Sequence, residues 1–190
     1  MDKIRIDFFD ILGYLIPGSA FLMICWIAAD NQVKSVWQVY QSIHSVDKKT
    51  IFIGLFLSYL LGFTLHALGK FLFDKYEDNA ANKKKLLDNT QLTVAEIWAL
   101  IREKGDKHLS ILERWYALRA LSQNLGGASL LCVFICVYKW WTFGFYEWIF
   151  IAFCFVAFFV VFMQKSRVFN RYLNDDIIAS IKILNKNANA

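Results

Sequence analysis

Apolar residues are gathered into four long runs, at 8–29, 51–73, 125–141 and 147–163, separated by polar and charged stretches. A helix needs about 20 mostly apolar residues to cross the hydrocarbon core of a bilayer. The first two runs meet that length outright, and the last two meet it with their aromatic flanks or a short helical extension. The pattern predicts an all-α polytopic membrane protein with four transmembrane helices. A first transmembrane hairpin occupies 1–73, a helical segment 74–124, a second hairpin 125–163 and a helical C-terminal extension 164–190.

The polar segments carry their own periodicity. Thr93-Val-Ala-Glu96 is a capping box, in which the hydroxyl accepts from a first-turn amide and the carboxylate reaches back to the amide of Thr93. The helix it opens places Ala95, Trp98, Ala99 and, more loosely, Ile101 on one side and is expected to stop at Gly105. A second helix from about Leu109 puts Leu112, Tyr116, Ala120 and Leu121 on one face and Glu113 and Arg114 on another. It runs toward Gly126-Gly127 and into the third span. In the tail, Leu173, Ile177, Ile181 and Leu184 form a one-sided apolar stripe. Such a stripe must be covered, by the middle segment of the same chain or by another subunit or partner. Both remain open, because about fifty residues cover little apolar surface alone.

Charge sets the orientation. Two basic residues lie at the amino terminus, ten between Lys70 and Arg119, and five in the tail; three lie in the first loop and one, Lys139, in the last turn. An even number of spans puts the three rich groups on one side, which the positive-inside rule makes the cytoplasm, with both termini there. Trp140, Trp141, Tyr146 and Trp148 then form an aromatic belt at the outer interface. The short outer loop carries one aromatic pair, Trp37 and Tyr40. The net charge of +5 follows from this topology and from facing anionic lipid; direct nucleic-acid binding is not expected. The leading MDKIRIDFFD is too acidic for a cleavable signal peptide, so the first span is expected to act as an uncleaved anchor of an inner (plasma) membrane protein.

Polar and small residues inside the spans are the candidate site. Asp10, Gly13, Tyr14 and Pro17 stand at i, i+3, i+4 and i+7, one face of a helix. Pro17 lacks an N–H and is expected to kink the span, with Gly18 easing the bend. The group reads as a packing kink with an interfacial acid, or as a hinge or partner-facing notch. In the second span, Gly54, Ser58, Gly62 and His66 recur every four residues, a ridge that lets a helix approach closely. Counting 1.5 Å per residue, His66 and Tyr14 both lie about 10 Å from the cytoplasmic ends of their spans. The two faces are therefore expected to pack together, with His66 near Tyr14 or Asp10. A structural histidine is the favoured role over a proton relay or sensor.

The chain carries none of the common nucleophile, P-loop, dinucleotide or metalloprotease motifs, so no catalytic residue, cofactor or metal is assigned and no enzyme is expected. Cys25, Cys132, Cys136 and Cys154 all fall in apolar runs, where thiols behave as small apolar groups. The third and fourth spans lack the polar lining of a channel.

The opening Phe8-x-Asp10-x-x-Gly13-Tyr14-x-x-Pro17-Gly18 resembles that of small four-span membrane proteins of bacterial phage-defence gene clusters. In length and plan the chain is most similar to the membrane subunits of Kiwa systems. That resemblance implies a homo-oligomeric inner-membrane protein that registers phage attack and acts through a soluble, DNA-binding cytoplasmic effector. The expected function is a non-enzymatic sensor and scaffold. The alternative is an oligomeric pore-forming or membrane-depolarising effector, which rests on the kinked first span and its notch.

Overall fold

The computed structural model describes residues 11–30, 33–35, 37–39, 41, 48–73, 84, 88, 92–104 and 106–188. Among these, no strand occurs. A π-helical turn, Ile11–Leu15, leads into α1 (Ile16–Ala29), followed by α2 (Lys48–Phe73), α3 (Val94–Lys104), α4 (Asp106–Phe143) and α5 (Glu147–Ala188). Three of them, α2, α4 and α5, are long and apolar enough to cross a membrane, and Gly13–Ala29 is a shorter apolar helix. Length and apolar composition mark this as a membrane protein.

Two helices are longer than a bilayer requires. At 1.5 Å per residue, α4 with 38 residues and α5 with 42 run to about 57 and 63 Å, roughly twice the 30 Å hydrocarbon thickness. No break separates the third apolar run from the polar helix before it, because Gly126 and Gly127 are packing positions. The Phe73 ring lies on Gly126, where an added Cβ would come within 3.0 Å of its Cε2, and a Cβ on Gly127 would sit 3.7 Å from Gly69 Cα. The only described glycine with positive φ is Gly144, at 74°, in the short connection that reverses the chain between α4 and α5.

The contacts fix the directions. Gly62 meets Tyr14, Ser58 meets Gly18 and Gly54 meets Leu22, so α1 and α2 are antiparallel. Gly69 meets Gln123 and Leu65 meets Gly127, so α2 and α4 are antiparallel as well. Gly13 and Asp30 reach Asn124 and Lys139, so α1 runs parallel to α4. Trp115 of α4 packs on Phe169 and Tyr172 of α5. The bundle is up-down-up-down, with α3 at the end where α1 begins.

In the middle of this bundle lies α4. More than half of its apolar window, 56%, is buried inside the chain, against 17% for α2 and 11% for α5. Its segment Ser122-Gln-Asn-Leu-Gly-Gly-Ala-Ser129 is small and polar, which lets neighbouring backbones approach closely. A Cβ on Gly69 would lie 2.7 Å from the Gln123 carbonyl oxygen. Outward, α2 exposes Phe52, Phe56, Leu60 and Phe63 in a band that in water would be an aggregation surface and in a bilayer meets acyl chains.

At the α3 end, Ile97, Ile101, Leu112, Leu173, Ile177, Ile178 and Ile181 form one core, with Trp98 and Leu184 packed against it. Burying each such side chain contributes about 1.5–3 kcal/mol where the alternative is water. The tail stripe is thus covered by α3 and α4 of its own chain, and contact with a second subunit or partner is not what buries it. The buried face of α3 agrees with the expected one at Ile101 and differs elsewhere: Ile97 is also inside, while Ala95 and Ala99 are exposed. Turning the helix this way buries Ile97 along with Ile101 and leaves the two alanines outside. Tyr116 is exposed rather than aligned with Leu112 and Ala120 in the core, Trp37 is exposed, and Tyr40 lies outside the described residues.

Candidate functional site

A polar junction forms where α1, α2 and α4 meet, and its origin is the missing amide of Pro17. In a regular helix that amide would donate to the carbonyl of Gly13, four residues earlier. Pro17 occupies the first turn of α1, directly after the π-helical turn, and the Gly13 carbonyl finds another donor. Asn124 Nδ2 donates to it at 2.8 Å. Asn124 is fully buried. Its Oδ1 lies 3.2 Å from His66 Nδ1, an N–H donor to that oxygen in the tautomer protonated on Nδ1. One side chain of α4 thereby ties the backbone of α1 to the histidine of α2.

The rings around it complete the junction. Tyr14 meets His66 edge-to-face at 5.9 Å, Tyr59 edge-on at 5.9 Å and Phe63 at 5.7 Å. Close helix approach is what makes this possible. A Cβ on Gly62 would stand 2.8 Å from Tyr14 Cα, and one on Gly18 would stand 2.7 Å from Gly62 N. Ser58 is buried between them.

The structure therefore brings Gly13, Tyr14, Pro17, Gly18, Ser58, Gly62 and His66 together, while Asp10 lies outside the described residues. Two of the predicted glycines are not required by contact. A Cβ on Gly13 would meet nothing within 4 Å, and one on Gly54 would meet only Leu22 Cδ2 at 3.9 Å. Pro17 sits in the first turn of α1, which continues directly from the π-helical turn through Leu15, itself in the right-handed helical region.

The opposite end is closed by a residue that charge counting placed in a loop. Lys139 is fully buried; its Nζ donates to the carbonyls of Asp30 at 2.8 Å and Val33 at 3.3 Å and lies 5.1 Å from the Phe143 ring centroid. Asp30 is the C-cap of α1. The Asp30 carbonyl also accepts from the Val33 amide at 3.2 Å, and a cation beside it complements the negative end of the helix dipole. Trp148 Nε1 donates to the Lys34 carbonyl at 2.7 Å, and the ring is buried with Ile27, Val33, Cys136 and Ala152. Trp148 is thus a packing residue, whereas Trp141 and Tyr146 are exposed as belt residues would be.

Sequence reasoning missed Asn124 and Lys139. Each had a signal: Asn124 ends the Ser-Gln-Asn run immediately before an apolar stretch, and Lys139 is the lone cation in an otherwise apolar aromatic segment. Among the described residues, no three His, Cys, Asp or Glu groups are placed to hold a metal ion. Comparison with protein-family models, with curated proteins and with solved structures finds no match to this chain.

Proposed function

We propose that this protein is a four-span inner-membrane sensor and scaffold that oligomerises and presents its cytoplasmic helices to a soluble effector, without catalysing a reaction. One observation carries the reading. Helices α4 and α5 continue unbroken from the apolar bundle into the helical unit with the Ile97–Ile101–Leu112 core. A displacement in the membrane half is transmitted along two rigid rods, with no flexible joint to absorb it. The charge pattern puts that unit and both termini in the cytoplasm. The up-down-up-down order of the helices supports reading the shorter apolar helix Gly13–Ala29 as a fourth span.

The closed polar groups favour a scaffold over a pore: Asn124 and His66 at the junction and Lys139 at the opposite end are engaged within one chain, whereas a pore needs polar groups aimed at a lumen. With the tail stripe covered, recruitment falls to the charged exterior of α3, α4 and α5, and oligomerisation to the exposed aromatic band of α2. The resemblance of residues 8–18 supplies the phage-defence context and a DNA-binding effector as the partner.

The test is a mild-detergent pull-down of the tagged protein expressed with its native gene neighbours, sized by native mass measurement. The expected product is a multimer with a soluble partner in fixed ratio. A bare homo-oligomer that conducts ions in liposomes would replace the scaffold with a pore.

A further inference from the structure

Beside the polar junction, on the side facing the charged half of α4, lies a cavity of about 120 Å³ lined by His66, Lys70, Tyr116, Arg119, Ala120 and Gln123. His66 and Lys70 are one turn apart on α2. Tyr116, Arg119 and Gln123 are spaced i, i+3 and i+7 on the facing surface of α4, which is antiparallel to it. Two cations, a phenol, an imidazole and a carboxamide thus converge from two helices, and among the described residues no carboxylate lines the cavity. Basic residues that merely obey the topology rule need no such convergence.

The depth of the cavity is equally informative. The apolar stretch of α4 begins at Leu125 and Arg119 precedes it by six residues, so the guanidinium's helix position lies about 9 Å beyond the apolar edge. Each headgroup layer of a bilayer is roughly 5–8 Å thick. The cavity thus extends from His66, within the apolar run of α2, to Arg119, about 9 Å past the apolar edge of α4, a reach that covers a headgroup layer.

We propose that this cavity is a binding site for a phosphate group, with Lys70 and Arg119 supplying the charge and Tyr116 a hydroxyl donor. Arg offers a planar fork that matches two phosphate oxygens, and Lys a compact point charge. An anionic lipid headgroup and a soluble phosphate monoester share this chemistry. The lipid source rests on the membrane placement proposed above. Such a site would make the junction of α1, α2 and α4 responsive to the lipid composition of the leaflet.

The experiment uses the full chain in mild detergent, titrated with phosphatidylglycerol or with phosphatidylcholine of matched acyl chains, and counts retained lipids by native mass spectrometry. Each cation near an anionic headgroup contributes roughly fivefold, so a preference of about 25-fold for phosphatidylglycerol is expected. The pair Lys70→Gln and Arg119→Gln should abolish it, while Lys182→Gln, away from the cavity, should leave it intact. Tyr116→Phe removes only a hydroxyl and should lower the preference severalfold, which keeps the test open if the double variant does not fold. Glycerol 3-phosphate forms the second arm: displacement of the lipid by millimolar glycerol 3-phosphate, or its retention without lipid, supports the phosphate site and assigns it a soluble ligand. Equal retention of both lipids with no glycerol 3-phosphate bound, or an undiminished preference in folded cavity variants, overturns the proposal. Carbonate extraction scores membrane insertion separately, so a failure of the membrane placement is distinguishable from a failure of the site.

Discussion

Replacing Asn124 with Leu tests whether the missing amide of Pro17 organises the bundle. Leucine nearly matches asparagine in length and branching, so packing against α1 and α2 is largely preserved and the loss is polar. Two interactions go: the 2.8 Å bond to the Gly13 carbonyl and the 3.2 Å contact with His66. Interhelical hydrogen bonds in membranes average about 0.6 kcal/mol and reach about 1.7, so the pair is expected to cost about 1–3 kcal/mol. The specific signature is coupling to position 17. Pro17→Ala restores an N–H four residues after Gly13, and that amide can serve the carbonyl that Asn124 vacates. The double variant should therefore lose less than the two single variants together, by about 0.5–1.5 kcal/mol in a double-mutant cycle. Reversible unfolding of the purified protein in mixed micelles, followed by circular dichroism and tryptophan fluorescence, measures all four corners. Strict additivity, or an Asn124→Leu cost below about 0.3 kcal/mol, refutes the account.

At the opposite end, Lys139→Met removes the charged donor from the Asp30 and Val33 carbonyls; bonds from charged groups are worth about 1.5–3 kcal/mol, a loss the same unfolding assay should register, with the α1–α2 connection gaining protease sensitivity. Gly62→Leu places a side chain into the Tyr14 backbone and should separate α1 from α2. A disulfide between cysteines introduced at Leu22 and Gly54, which face each other, should form in the parent and fail in that variant. In the α3 cap, the Thr93 hydroxyl, and secondarily its amide, hold the Glu96 carboxyl below its ordinary value. The cap's contribution is therefore complete above the ordinary carboxylate range and is lost as pH falls through the lowered value. Hydrogen exchange of the first turn of α3, corrected for intrinsic rates, should accelerate only on acidification, and Thr93→Ala, which keeps the amide but removes the hydroxyl, should reduce the pH dependence by more than half.

The four apolar runs, the capping box and the close-packing face of Ser58 and Gly62 are all legible in the amino-acid sequence, and so is the proximity of His66 to Tyr14. Each depends on chain-local information: length, a period of 3.6 residues, or small side chains every turn on one face. Reading α3 by the same periodicity takes Ala95 and Ala99 and leaves out Ile97, because alternative stripes on a short helix differ by one position and only the partner surface selects between them. Nothing local tells that Gly126-Gly127 sits inside a helix, since glycine both ends helices and lets them touch.

Composition and periodicity alone thus determined that the chain is helical and membrane-bound, and which segments are apolar, because helical hydrogen bonds close within four residues and burial in lipid needs only an apolar exterior. The tertiary structure decided which polar groups are spent inside. Asn124 answers a proline 107 positions away in the sequence, Lys139 closes the end of α1, and α3 and α4 cover the tail stripe. Those assignments depend on which helices lie side by side and at what register, and a backbone carbonyl left open by proline does not announce, in one dimension, the side chain that will reach it.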